Sequence, residues 1–197
     1  KNKNKLKEIK NILKGLNLSL KCLSNMDKKI RIVENGKTFE ENAVKKALAV
    51  SRHYKKDLIV GEDSGLSVDY LKGAPGVYSK RYAGKSGNQK KNNHKILKAL
   101  NNIPVNKRKA HFSCILALAK EGKVLAVLEG KLSGRIAFKE EGDSGFGYDP
   151  VFYLPGFKKT VAQIPMTTKN RISHRAQAFK KLKQFLHLSS FDALKID

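Results

Sequence analysis

The chain has 197 residues, room for one sizeable domain with a real core but not for several. Hydrophobic residues make up 40% and charged residues 29%, and the longest uninterrupted apolar run, Cys114 to Ala119, is six residues. A membrane-spanning helix needs roughly 20, so the composition is that of a globular protein and excludes such a helix. The formal net charge is +24, from 41 Lys and Arg against 17 Asp and Glu, a balance that points to an acidic substrate or to nucleic acid. Only seven of the 41 are arginines, the side chain that reads nucleic acid by bidentate and stacked contacts. A solvated lysine background with general attraction for anions is therefore preferred over a dedicated nucleic-acid surface.

Leu6, Ile9, Ile12 and Leu13 recur at helical spacing, so a first helix is expected from Lys3 to Gly15. Leu18 to Leu23 alternates as a strand does, and Asn35-Gly36 is a turn signal. Thr38 with Glu41 forms a capping box, and Phe39, Ala43, Ala47 and Val50 make the buried stripe of the helix it starts. Leu58 to Val60 and Leu66 to Leu71 read as two strands, with Glu62, Asp63, Ser64 and Gly65 in a turn at the strand end. Ser86 with Gln89 forms a second capping box, opening a helix through Ile96, Leu97 and Leu100 that ends near Pro104. His111 to Ala119 and Lys123 to Glu129 flank Glu121-Gly122 as a β-hairpin, and Lys131 to Phe138 prolongs the sheet. A glycine-rich loop, Glu140 to Asp149, leads to a short strand at Val151 to Tyr153. A final helix carries Ala176, Phe179, Leu182, Phe185 and Leu186, and the tail from Ser189 is expected to be loosely held. Hairpins mixed with helical crossovers specify an α/β fold with a mixed sheet flanked by helices. No strand precedes Lys3, where such a fold normally feeds its first helix, so a first strand is expected ahead of residue 1. Cys22 and Cys114 form no short metal-binding spacing, and they suit a reducing compartment with each thiol as core filler. No charged segment followed by an apolar one suggests a secretory signal.

The carboxylates are unevenly spread. An acidic cluster between Glu34 and Asp69 precedes a stretch, Tyr70 to Lys120, with 12 Lys or Arg and no carboxylate, a pairing suited to a metal-bound polyanion. Four polar clusters carry candidate chemistry. Asn2 to Lys5, at the mouth of the first helix, offers N–H groups and a cation for phosphate, or only a helix cap. Glu34, Glu40, Glu41, Glu62, Asp63 and Asp69 supply the oxygens Mg²⁺ prefers, although Glu41 already serves the capping box. Two adjacent acids directly after Leu58-Ile59-Val60 are costly unless a cation or hydrogen bonds compensate them. Gly142 to Pro150 allows close backbone approach and offers Phe146 and Tyr148 for stacking on a base, or is a plain loop with core aromatics. Lys169 to Arg175 brings three cations and a histidine to a helix start.

Taken in order, Glu34-Asn35-Gly36-Lys37-Thr38-Phe39-Glu40-Glu41-Asn42-Ala43, Glu62-Asp63-Ser64-Gly65-Leu66, Gly73 to Gly84 (GAPGVYSKRYAG), Gly145-Phe146-Gly147-Tyr148-Asp149-Pro150-Val151-Phe152 and Ser173-His174-Arg175-Ala176 are similar to the motifs of one family. The sequence resembles the inosine triphosphatase family, the non-canonical purine NTP pyrophosphatases also called dITP/XTP pyrophosphatases, over nearly its whole length. The resemblance implies one nucleotide pyrophosphatase domain over 1–197, two-lobed, with an elongated mixed sheet, a central cleft and homodimeric assembly in the cytoplasm. It implies Mg²⁺-dependent hydrolysis of ITP, dITP or XTP to the monophosphate and pyrophosphate. Carried over by motif, Asp63 is the base that activates water and also meets metal, with Glu34 and Glu41 as further ligands. Asn2, Lys5 and Lys169 hold phosphates and Ser64 contacts substrate. Phe146, Gly147, Tyr148, Asp149, His174 and Arg175 form the base pocket. Glu62 stands where the family usually has Asp, and the N-terminal Thr-x-Asn-x-x-Lys motif survives only as Asn2 and Lys5. A Maf-type nucleotide pyrophosphatase and a basic nucleic-acid-binding protein are the competing readings. The His174-Arg175 and Gly145 to Phe152 segments argue against the first, and the absence of any reader motif against the second.

Overall fold

The computed structural model describes residues 9–13, 21 and 30–188. The expected first helix lies partly within them: residues 9–12 are helical, and the Leu13 N–H donates to the Ile9 carbonyl at 3.0 Å. Apart from Lys21, the expected strand at Leu18 to Leu23 lies outside the described residues, as do the strand ahead of residue 1, Asn2, Lys5, Cys22 and the tail from Ser189.

Four helices and five strands follow in chain order: α1 Phe39–Ser51, β1 Ile59–Val68, α2 Gln89–Ala99, β2 Lys109–Lys120, β3 Lys123–Ile136, β4 Phe152–Leu154, β5 Lys159–Thr160, α3 Met166–Ile172 and α4 His174–Leu188. The strands form one open sheet in the order β1-β2-β3-β4-β5, giving the mixed α/β architecture that the patterning implies. β3 and β4 pair antiparallel, Arg135 opposite Tyr153, and β4 and β5 likewise, Tyr153 opposite Thr160. The β2-β3 connection is the two-residue hairpin read from the sequence. Both Glu121 (φ 51°) and Gly122 (φ 76°) are left-handed, as the twist-matched hairpin turn requires.

By contacts the chain divides into two compact units. The first comprises residues 1–63, 114–130 and 175–197, the second 64–113 and 131–174. In the first, β2 shows the two-residue alternation of a strand buried on both faces. Cys114, Leu116 and Leu118 pack with Leu13, Leu58, Phe179 and Leu182, whereas Ile115, Ala117 and Ala119 pack with Ala43 and Ala47 of α1. Small residues let α1 come close to the sheet. A Cβ at Gly61 of β1 would collide with the Ala43 carbonyl and lie 2.7 Å from the Ala47 nitrogen, so only glycine permits this approach. The second unit has its own core, in which Leu66, Val68, Ile96, Leu100, Phe112, Ile136, Val151 and Phe152 meet.

Four local expectations change. Glu62 to Gly65 are not a turn, because β1 runs unbroken from Ile59 to Val68 and Asp69–Leu71 is a 3₁₀ turn. A polar run is tolerated in mid-strand because its carboxylates find cations, as described below. The second cap is Asn88, whose side chain accepts from the Lys91 N–H, and not Ser86. Lys169 to Ile172 do not open the final helix: they belong to the short helix α3, which ends at Ser173 (φ −60°, ψ 154°) before α4 starts at His174. At α1 Thr38 does cap, accepting from the Glu41 N–H at 3.0 Å, but the Glu41 carboxylate accepts from the Lys37 N–H at 2.9 Å instead of the cap residue's own.

Candidate active site

The candidate residues gather in two places, one in each unit. In the first unit α1 lies close on β1 at Gly61, and this brings Lys46 onto Asp63, with Nζ to Oδ1 at 2.8 Å. The same ammonium reaches Glu34 Oε2 at 2.9 Å and donates to the Glu62 carbonyl at 3.2 Å. Asn42, buried one turn earlier, donates from Nδ2 to Asp63 Oδ2 at 3.3 Å and accepts at Oδ1 from the Gly36 N–H at 2.8 Å. The Asn35-Gly36 turn is thereby tied to the strand carboxylate, and a side chain at Gly36 would strike Asn42 Oδ1. Burial works against the charge on Lys46, but hydrogen bonds and Coulombic attraction from Asp63, and then Glu34, outweigh it and raise its pKa above the ordinary 10.5.

On β1 successive side chains point to opposite faces, so Glu62 turns away from Asp63. Its Oε1 meets Arg175 of α4 at 3.1 Å and accepts from the Cys114 thiol at 3.6 Å. The Arg175 side chain is 1% exposed and that of Glu62 15%, a buried pair of the kind that is costly to break from one side. Among Glu34, Glu62, Asp63, Lys46 and Arg175, three carboxylates face two cations, and one negative charge is left over.

The second unit holds the glycine-rich loop. Gly142, Gly145 and Gly147 are all left-handed, and Asp149 folds back so that Oδ2 accepts from the Phe146 N–H at 2.8 Å. The same oxygen pairs with Lys169 of α3 at 2.5 Å, both side chains at most 6% exposed. Lys169 Nζ also lies over the Phe146 ring, 4.4 Å from its centroid. Tyr148 is buried in the core and donates its hydroxyl to the Ser79 carbonyl at 2.7 Å. Burial, with Tyr82 nearby, pushes that hydroxyl well above the usual tyrosine range. Of the two aromatics read from the sequence, Tyr148 is thus spent on packing and Phe146 is the half-buried one. His174 stacks on Phe112 at 4.9 Å, and Ser64 follows Asp63 on β1.

Asp63 and Glu34 are therefore brought together, through a lysine. Glu41 is exposed at the start of α1 with its carboxylate on the Lys37 N–H. Among the described residues no group of three or more His, Cys, Asp or Glu converges as a ready-made metal site. The donor set nonetheless suits a hard divalent cation: two carboxylates and a backbone carbonyl already surround one positive charge, and the surplus is negative. Lys46, Asn42 and Gln89 are participants the sequence reading passed over. Lys46 and Gln89 sit in helices where lysine and glutamine are ordinary surface residues. Only the Ala43 and Ala47 stripe, which turns Lys46 toward the sheet edge, hints at its role.

The sequence profile of the Ham1 family matches residues 1–185. The dITP/XTP pyrophosphatase of Clostridium perfringens is 47% identical over 190 residues, covering 94% of this chain and 93% of that protein. The one from Caldanaerobacter subterraneus is 43% identical over 94% and 92%. Among solved structures, a HAM1 protein from Coxiella burnetii matches with a TM-score of 0.86 at 36% identity over 95% of each chain. The Staphylococcus aureus Ham1 protein matches with 0.84 at 36% over 96% of each. No helix among the described residues is long and apolar enough to cross a membrane. With the family profile matching residues 1–185 and relatives aligned nearly end to end, the chain belongs to the Ham1 family.

Proposed function

We propose that this protein hydrolyses non-canonical purine nucleoside triphosphates, ITP, dITP and XTP, to the nucleoside monophosphate and pyrophosphate. The observation that carries the reading is the setting of Asp63: a half-buried carboxylate fixed by Asn42 and Lys46, with Glu34 on the same ammonium and one negative charge in surplus. Asp63 accepts the proton of the attacking water, and Asn42 holds the carboxylate in place for it. Glu34 and Asp63 would hold Mg²⁺, with Glu41 fixing the turn behind Glu34. Bound there, Mg²⁺ supplies charge neutralisation on the phosphate oxygens. Lys46 released from the carboxylates is a cation for the phosphates, together with Asn2 and Lys5 by resemblance. Ser64 contacts the nucleotide beside Asp63.

Phe146, Gly147, Tyr148, Asp149, His174 and Arg175 are assigned to the base and Lys169 to the phosphates, as the resemblance implies. Phe146 offers its ring, Asp149 and Lys169 set the loop, and Tyr148 anchors it. Hypoxanthine and xanthine present an acceptor at C6 that N–H donors satisfy, whereas adenine presents an amino donor there. A donor facing a donor leaves buried groups unpaired, which discriminates by orders of magnitude. The resemblance also assigns the protein to the cytoplasm as a homodimer.

Product analysis by phosphorus NMR on ITP, XTP, GTP and ATP with Mg²⁺ tests the reading. Pyrophosphate and monophosphate in equal amounts from ITP and XTP, with ATP and GTP far slower, are expected. Orthophosphate as the first product, or equal rates on all four, would reject it.

A further inference from the structure

Gln89 is the first residue of α2 and is exposed to solvent, yet its side chain is committed: Oε1 accepts from the Gly147 N–H at 2.6 Å. The rest of the loop is tied down from other directions. The Phe146 N–H and Lys169 both bind Asp149 Oδ2, and Tyr148 is anchored on Ser79. Between Phe146 and Tyr148, Gly147 has a left-handed backbone (φ +69°), and a Cβ there would meet nothing within 4 Å. The peptide that joins Phe146 to Gly147 is held by hydrogen bonds at both ends: the Phe146 carbonyl accepts from the Asp149 N–H at 3.4 Å and the Gly147 N–H donates to Gln89. The first bond lies within the loop, whereas the second ties the peptide to α2 and so to the body that carries the Phe146 ring.

We propose that Gln89 is a positioning residue for purine binding: by holding the Gly147 N–H it fixes the Phe146-Gly147 peptide and so presents the Phe146 ring. This deepens, and rests on, the reading of the loop as the nucleobase site. A single neutral hydrogen bond of this kind corresponds to a change of about 2- to 13-fold in a binding constant. Gln89→Ala is accordingly expected to weaken inosine monophosphate binding, measured by calorimetry, and to raise KM for ITP within that range. Its kcat and melting temperature are expected to match wild type. Gln89→Glu keeps an acceptor oxygen at the same reach and should restore both constants to within about twofold, which loss of a merely structural contact would not require.

Phe146→Ala is measured alongside. Unchanged nucleotide binding in Phe146→Ala would overturn the base-site reading and this proposal with it. Weakened binding in Phe146→Ala with wild-type binding in Gln89→Ala would overturn the role of Gln89 alone. A loss in Gln89→Ala that Gln89→Glu fails to restore, or one that appears in kcat with KM unchanged, would equally overturn it.

Discussion

Each unit contains a lysine paired with an aspartate, and the two pairs are built differently. Lys169 and Asp149 are closed to water, with side chains 5% and 6% exposed, and the carboxylate oxygen that takes the ammonium also takes a backbone N–H. Lys46 and Asp63 are 17% and 13% exposed, and Lys46 is divided between Asp63, a Glu34 side chain that is 50% exposed, and a carbonyl. A buried pair closed to water is a fixed element, since removing either member strands a charge. A shared, half-buried pair that opens onto an exposed carboxylate, with negative charge in surplus, can exchange one cation for another. The first holds a loop in shape; the second is arranged for chemistry.

The largest effect should come from removing the chemical function of the exchangeable pair. Asp63→Asn retains an oxygen for Lys46 but takes up a proton poorly, and kcat on ITP should fall by about 10²–10⁴-fold. The melting temperature should stay near wild type, and a stopped assay for pyrophosphate with a parallel thermal melt checks both. The fixed pair should respond in the opposite way. Lys169→Met leaves Asp149 buried without its ammonium and should cost about 3–5 kcal/mol of stability, a fall in melting temperature of roughly 6–20 °C for a chain of this size. If calorimetry found Lys169→Met as stable as wild type and Asp63→Asn unfolded, the two pairs would have exchanged roles.

The smallest effect lies in the pH dependence of Lys46. Its pKa is raised in the folded protein, so the stability it contributes is fully present below the ordinary lysine value of 10.5 and is lost as the pH rises through the higher folded value. Denaturant titrations of wild type and Lys46→Met should therefore differ by a constant amount from neutral pH to about pH 10 and converge above it. A difference that narrowed between pH 6 and pH 8 would mean that another group carries it.

Much of this was legible in the chain. The hairpin at Glu121-Gly122 and the helix behind Thr38 follow from local turn and cap chemistry, and local chemistry decides them. β1 was not legible as one strand, because Glu62-Asp63-Ser64-Gly65 reads as a turn wherever its charges face water. What makes it a strand is Lys46 from one element and Arg175, 113 positions on in the chain, from another. The break at Ser173 and the reach of Gln89 to Gly147 depend likewise on tertiary partners. Five ordered motifs were enough to suggest Asp63 and the Phe146 loop, but motif order carries no distances, and the sharing of Lys46 between two carboxylates is a distance.

The most direct test of the comparison is to count bound Mn²⁺ by electron paramagnetic resonance in the nucleotide-free protein. Wild type, Glu34→Gln and Lys169→Met are titrated in parallel, with the last kept below its melting range. If Glu34 and Asp63 form the exchangeable cation site, Glu34→Gln loses Mn²⁺ affinity by about tenfold or more while Lys169→Met retains the wild-type affinity. Wild-type Mn²⁺ affinity in Glu34→Gln, with the loss appearing in Lys169→Met, would contradict the account.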